Sequence, residues 1–347
     1  MPIETPSTPR GPVTPHTMTR VLGRSGIEVS ALGLGCWAIG GPWTFMGSPG
    51  GWSDVDDAES VRALRRAVEL GVTFFDTAAN YGAGHSETVL GRALAPFRDD
   101  VVIATKFGYR VDEATRTVDS YPGQNEHGDV ARHLPADVRA SLRRLGTDRI
   151  DVYQLHVGDL PVDRALEARD VLESLVDDGL IRSYGWSTDD VDRARAFSAT
   201  GPHCAVVQHG LSVLGYEDPA MLALCDELGL ASVNRSPLGM GLLTGKFTPA
   251  SRFGRDDQRS VAGWHPGFAD GAPTDEWLTK LQSVREVLTS DGRTLAQGAL
   301  AWIWARSAST VPIPGFKTVA QVEENCGALA FGPLTPRQFT EVATIVG

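Results

Sequence analysis

The chain has 347 residues, of which 42% are hydrophobic and 22% charged, with a formal charge of -11. That composition excludes a chain that is disordered throughout, and the length suits either two average domains or one large α/β barrel, a fold that runs to roughly 250 residues before insertions. The negative charge, with no clustered basic stretch, argues against a general role on nucleic acids or anionic membranes.

Residues 1–18 contain prolines at positions 2, 6, 9, 12 and 15 and no apolar run of the signal-peptide kind, so they read as a disordered leader that ends at Met18. No stretch approaches the ~20 apolar residues of a membrane span, and a cytoplasmic location is expected. Thr19–Leu22 and Glu28–Ser30 flank the turn Gly23-Arg24-Ser25-Gly26 and predict a hairpin that plugs one end of the domain after it. From there strand-like runs alternate with helical ones: 31–36 with 57–70, 73–76 with 86–94, 101–106 with 135–145, and 150–155 with 164–177. The pattern continues with 183–187 and 190–199, 205–208 and 219–228, 230–234 and 277–288, and 309–313 and 319–329.

Parallel strands need a crossover connection, and eight such units favour closure into a (β/α)8 TIM barrel forming a single domain over residues 19–347. The competing doubly wound sheet lacks its G-x-G-x-x-G turn after the first strand. Three connections leaving strand C-termini are long, at 37–56, 107–134 and 237–275, and this is where a pocket is expected. Periodicity defines no oligomeric interface.

Cys36, Cys204, Cys225 and Cys326 are widely spaced and read as free thiols of a reducing compartment. His127 and His133 have no third ligand, so no metal site is expected.

The strongest local signal closes the second strand in Asp76-Thr-Ala-Ala-Asn-Tyr81-Gly-Ala-Gly-His-Ser86-Glu87. The third strand ends in Thr105-Lys106 and the fourth in Leu155-His156. Any one of these is an ordinary strand-end polar group, but together they gather four ionisable residues at one rim. Lysine occurs only at 106, 246, 280 and 317, the other 28 of 32 basic residues being arginine, so a lysine at a buried strand end points to a need for a compact, tunable ammonium.

These segments, with G-W-S at 185–187, S-P-L-G-M-G-L-L-T-G-K at 236–246 and Q-V-E-E-N at 321–325, resemble the aldo-keto reductases in order and spacing over nearly the whole chain after Met18. The resemblance implies an NADPH-dependent enzyme that reduces an aldehyde, ketone or keto-sugar. Tyr81 would be the general acid, Lys106 would ease loss of its proton, Asp76 would pair with the lysine, and His156 would orient the carbonyl. Such an assignment is chemically consistent, because a developing alkoxide needs a proton and nearby positive charge.

It further implies that Ser187 and Gln208 hydrogen-bond the nicotinamide carboxamide, and that Trp37, Asp76, Thr188 and Arg235 also belong to the cofactor site. The loop Ser236, Pro237, Leu238, Gly241, Gly245 and Lys246 would lie over the pyrophosphate. Gly315, Lys317, Gln321, Glu324 and Asn325 would hold the adenosine end, with Lys317 facing a ribose 2′-phosphate and so favouring NADP over NAD.

Two positions depart from the family pattern. Thr188 stands where asparagine is common, which weakens or replaces one carboxamide contact, and Arg235 stands where an aromatic ring usually stacks, so its charge is expected to disfavour the oxidised cofactor. Of the aromatic residues in the long loops, Trp37, Trp43, Phe45, Trp52, Phe107, Tyr109 and Trp264, about half are expected in a pocket, with Trp37, Trp43, Phe107 and Tyr109 proposed to contact substrate. Two other readings keep the cofactor without net carbonyl reduction: a regulatory subunit that senses redox state, and a biosynthetic barrel that catalyses a rearrangement.

Overall fold

The computed structural model describes residues 18–122, 129–215, 219–263 and 265–346. Eight parallel strands form its centre: β1 (Gly33–Gly35), β2 (Phe74–Asp76), β3 (Val102–Phe107), β4 (Ile150–Leu155), β5 (Ile181–Ser187), β6 (Cys204–Gly210), β7 (Ala231–Arg235) and β8 (Thr310–Pro312). They pair in sequence order, and the Gly35 N–H donates to the Pro314 carbonyl at 3.0 Å, which brings the first strand to the last and makes the (β/α)8 barrel.

Around it lie α1 (Asp57–Glu69), α2 (His85–Leu94), α3 (Val130–Leu145), α4 (Val162–Asp177), α5 (Val191–Ser198), α6 (Pro219–Leu228), α7 (Asp275–Leu288), α8 (Leu295–Arg306), α9 (Val319–Gly327) and α10 (Pro336–Val346). Asp56 begins α1 by accepting from the N–H groups of Ala58 and Glu59, and Asp129, Asp190 and Thr318 start α3, α5 and α9 in the same manner.

Three helix expectations need correction. The third helix begins at Val130 rather than Pro135, because the Asp129 cap starts it; Pro135 lies inside the helix, where its missing N–H removes one helical hydrogen bond. The helix packed on β8 is α8, whereas α7, expected as the seventh crossover, packs on α8 and α10. The sequence Leu295–Arg306 is apolar on nearly every face, so it carries no amphipathic stripe to mark it, and α10 went unassigned as well.

The hairpin forms as expected, Thr19–Val21 pairing antiparallel with Glu28–Ser30. Leu22, Ile27 and Val29 are buried against inward-facing Val102, Val152, Val206, Ala231 and Val311, closing the N-terminal end of the barrel. Met18 belongs to this structure, since its carbonyl accepts the Ala31 N–H at 2.9 Å; the rest of the proposed leader, like His127 and Trp264, lies outside the described residues.

Gly23, with φ +47°, is pressed onto the barrel floor so closely that a Cβ would overlap the Ala205 carbonyl oxygen and lie 2.8 Å from Ala231 N. Gly23→Ala is expected to cost about 2 kcal/mol or more, a lower midpoint in chemical unfolding being the readout and an unchanged midpoint the refutation.

The long connections are structured. Thr44–Phe45, Ser48–Pro49, Arg110–Asp112 and Thr117–Asp119 make a four-stranded sheet that ties the β1–α1 loop to the β3–α3 loop. The β7–α7 loop crosses to the first of these, the Gln258 N–H donating to the Gly51 carbonyl at 3.2 Å. Among the described residues no helix is long and apolar enough to cross a membrane.

Candidate active site

Alternation along each strand sends Phe74 and Asp76, Ala104 and Lys106, and Val152 and Gln154 to the barrel interior, which therefore runs from an apolar floor to a charged upper layer. The Lys106 ammonium is buried and donates to Asp76 Oδ1 at 2.5 Å, to the Thr77 carbonyl at 2.8 Å and to Tyr81 Oη at 3.4 Å. Burial, the largest single cause, opposes this charge, but Asp76 and Tyr81 together outweigh it and hold the lysine above its ordinary range. Asp76 Oδ2 accepts from Gln154 Nε2 at 3.0 Å and from Gln208 Nε2 at 2.8 Å.

Tyr81 is fixed from behind by two glycines packed backbone to backbone. A Cβ on Gly40 would lie 2.8 Å from the Tyr81 carbonyl carbon, and Gly82, at φ +65°, admits no side chain against Gly40. The phenol ring stacks beside Trp37 at 6.1 Å and meets the His156 ring edge-on at 5.7 Å. Burial raises the phenol, and Lys106 partly reverses that, leaving Tyr81 protonated at neutral pH. Burial, then the positive charges of Lys106 and Arg235, push His156 well below the usual imidazole range, so it is neutral. Its Nδ1 is buried without a partner among the described residues.

Above these groups opens a cavity of about 750 Å³. Trp37, Trp43, Phe45, Trp52 and Tyr109 form one wall, five of the six described aromatic residues expected near a pocket and so more than half. Phe107 is the exception and a correction: because Lys106 points inward, Phe107 points out and packs on Tyr153, ring centres 4.8 Å apart, beneath the helices. Tyr109 lies 5.9 Å from the His156 ring, with its phenol pushed up to about 12 by burial and by Asp159.

Ser187, Thr188, Gln208, Arg235, Ser236, Pro237, Leu238 and Gly315 line the same cavity with Asp76, Tyr81 and His156. The Thr188 hydroxyl is used within the fold, donating to the Gly158 carbonyl at 2.7 Å and accepting from the Asp190 N–H at 3.2 Å. The Arg235 guanidinium is ion-paired with Asp189, whose other oxygen accepts the Gly210 N–H at 2.8 Å.

Gly241, Gly245 and Lys246, on the turn Gly239–Thr244 and just after it, and Lys317, Gln321, Glu324 and Asn325 lie outside the cavity lining. The Lys317 ammonium donates to the Ser53 carbonyl at 2.7 Å, its N–H donates to Gln321 Oε1 at 2.7 Å, and Asn325 Nδ2 reaches the Gly315 carbonyl at 3.5 Å. These side chains brace the turn at 314–317; Glu324 is half-buried, its carbonyl accepting from Gln297 Nε2 at 3.0 Å.

Sequence reasoning missed Gln154, Asn80, Asp189, Arg193, Met240 and Gln258, of which all but Gln154 line the cavity. Strand alternation alone marks Gln154, two residues before His156 on the inward face. Arg193 lies in the first turn of α5, and the others lie in loops and turns that no periodicity orders.

The sequence pattern of the Aldo/keto reductase family covers residues 31–346. The chain is 31% identical over 306 residues to the aldo-keto reductase YhdN of Bacillus subtilis, covering 86% of this chain and 85% of that one. Among solved structures it resembles a glycerol dehydrogenase of Gluconobacter oxydans (28% identity, TM-score 0.76, 95% of each chain). It also resembles an aldo/keto reductase of Klebsiella pneumoniae in complex with NADP and acetate (25% identity, TM-score 0.66, 95% of each chain). The chain belongs to the aldo/keto reductase family and is an oxidoreductase of that class.

Proposed function

We propose that this protein is a cytoplasmic NADPH-dependent reductase that converts an aldehyde, ketone or keto-sugar to the alcohol, with Tyr81 as general acid. One observation carries the reading: Tyr81 and His156 border the cavity, while the ammonium that faces the phenol is buried behind it and anchored by Asp76. A protonated phenol can donate to the oxygen of a bound carbonyl, and the Lys106 ammonium stabilises the tyrosinate left behind. Neutral His156 can orient the same oxygen without competing as an acid. The aromatic wall excludes water and accepts the substrate's apolar or ring face.

The residues present fit a nicotinamide dinucleotide. With Gln208 Nε2 committed to Asp76, its carbonyl is left to accept from a carboxamide, beside Ser187. Lys246, Arg259 and Lys317 are close enough that Arg259 lowers both lysines, with burial the larger cause, so this group of cations favours phosphate. Gly241, Gly245 and Lys246 would follow the pyrophosphate, Gly315 and Gln321 would support the adenosine segment with Glu324 and Asn325, and Lys317 would select a 2′-phosphate. When bound, the reduced cofactor supplies the hydride.

The test is NADPH oxidation by purified protein against a panel of aldehydes, ketones and keto-sugars, where turnover supports the reading. Binding of NADPH without reduction of any carbonyl would transfer support to the sensor or rearrangement readings. Asp189 should matter to the cofactor's redox state, because it neutralises Arg235 where an oxidised nicotinamide would carry positive charge. Asp189→Asn is expected to weaken NADP⁺ binding relative to NADPH by roughly fivefold. An unchanged ratio of the two dissociation constants would refute that role.

A further inference from the structure

Gln154 is fully buried and absent from the cavity wall, so it touches neither substrate nor cofactor. Its amide nevertheless meets the ion pair on which the proposed proton transfer depends. Asp76 carries its charge on two oxygens: Oδ1 faces the Lys106 ammonium, and Oδ2 receives the amides of Gln154 and Gln208. Gln208 Nε2 also reaches Gln154 Oε1 at 3.3 Å, so the two glutamines form one braced unit across the barrel interior. Gln154 belongs to β4 and Gln208 to β6, and the unit thereby locks a carboxylate from β2 against a lysine from β3.

We propose that Gln154 is a positioning residue for the reductase reaction: its amide keeps the negative charge on Asp76, and so keeps Lys106 an ammonium against the Tyr81 hydroxyl. This inference rests on the reading of Tyr81 as the acid. Without the Gln154 amide the buried Asp76 carboxylate loses one of the donors that meet its negative charge, and the pair can relax to its neutral form by moving one proton from Lys106 Nζ to Asp76 Oδ1. Tyr81 then loses the positive charge that favours its ionisation. The groups facing Tyr81 are Lys106 from β3, Asp76 from β2, His156 after β4 and Arg235 from β7; Arg235 is compensated by Asp189 and His156 is uncharged. The thiol facing Asp76, Cys36, is raised far above its ordinary range by burial first and by Asp76 next, and does not ionise.

Gln154→Met keeps the volume and removes the amide. In the holoenzyme its kcat for carbonyl reduction is expected to fall about tenfold, with the alkaline limb of the kcat–pH profile displaced upward by about half a unit or more and KM within about twofold. Ultraviolet titration of tyrosinate in the protein without cofactor, taken as the difference from Tyr81→Phe, should show the same upward displacement. Gln154→Leu carries both measurements if Met disturbs the packing. A limb and a tyrosinate titration that stay where they are in the wild type, whatever the loss of turnover, overturn the role of Gln154. If Tyr81→Phe itself turns over normally, the reading of Tyr81 fails, and this inference fails with it.

Discussion

Tyr81→Phe is expected to lower carbonyl turnover by about three orders of magnitude while changing cofactor affinity by no more than about twofold. The phenylalanine ring keeps the contact with Trp37 and leaves the Gly40–Gly82 packing intact, so the fold has no reason to change. What is lost is the only phenol beside the Lys106 ammonium among the described residues; Tyr109, the other phenol lining the cavity, is raised to about 12 and has no such partner. Steady-state turnover, together with the dissociation constant for NADPH, separates the two effects. Near-normal turnover would remove Tyr81 from the mechanism, and a large loss of cofactor affinity would assign it a binding role.

The second large effect concerns Asp76. Every group that meets its carboxylate is a donor: the Lys106 ammonium on one oxygen and two glutamine amides on the other. Asp76→Asn replaces one acceptor with a further donor, so the glutamine amides must turn or leave one N–H facing another, and the Lys106 charge is left buried without its counterion. Breaking a buried pair in this way is expected to cost about 3–5 kcal/mol.

The pH dependence has a definite sign. In the wild type Lys106 titrates above its ordinary value, so its stabilising contribution is present at neutral pH and lost only as pH rises through the raised value. In the variant, burial, the largest single cause, is opposed only by Tyr81, and the lysine is expected to fall below its unfolded value. The unfolded chain then binds more protons, and stability increases as pH rises from 7 to about 9. Thermal unfolding at several pH values reads both signs, and a variant whose midpoint falls over that range would refute the assignment.

Much of this arrangement was legible in the sequence because strand ends and motifs are local. Asp76, Lys106 and His156 each end a run of apolar residues or directly succeed one, and a parallel barrel brings consecutive strand ends to one rim. The same local logic, applied one residue too loosely, misplaced Phe107, since adjacent residues on a strand face opposite sides. Helix α8 was missed because burial on all sides erases the amphipathic pattern. The partnership of Arg235 with Asp189 joins the end of β7 to the β5–α5 loop, and nothing in either segment announces the other. The contact of the Lys317 ammonium with the Ser53 carbonyl depends on the course of the β1–α1 loop, and nothing in the sequence around Lys317 announces it.

The junction of Gly35 with Pro314 bears on how the barrel assembles in time. β1 finds one neighbour in β2, but its other edge is satisfied only by residues near the far end of the sequence. Contacts so remote form late, because the intervening chain must first be confined. Until then the sheet has two open edges able to pair with other nascent chains. Slow refolding and concentration-dependent aggregation on dilution from denaturant are therefore expected of a barrel closed in this way.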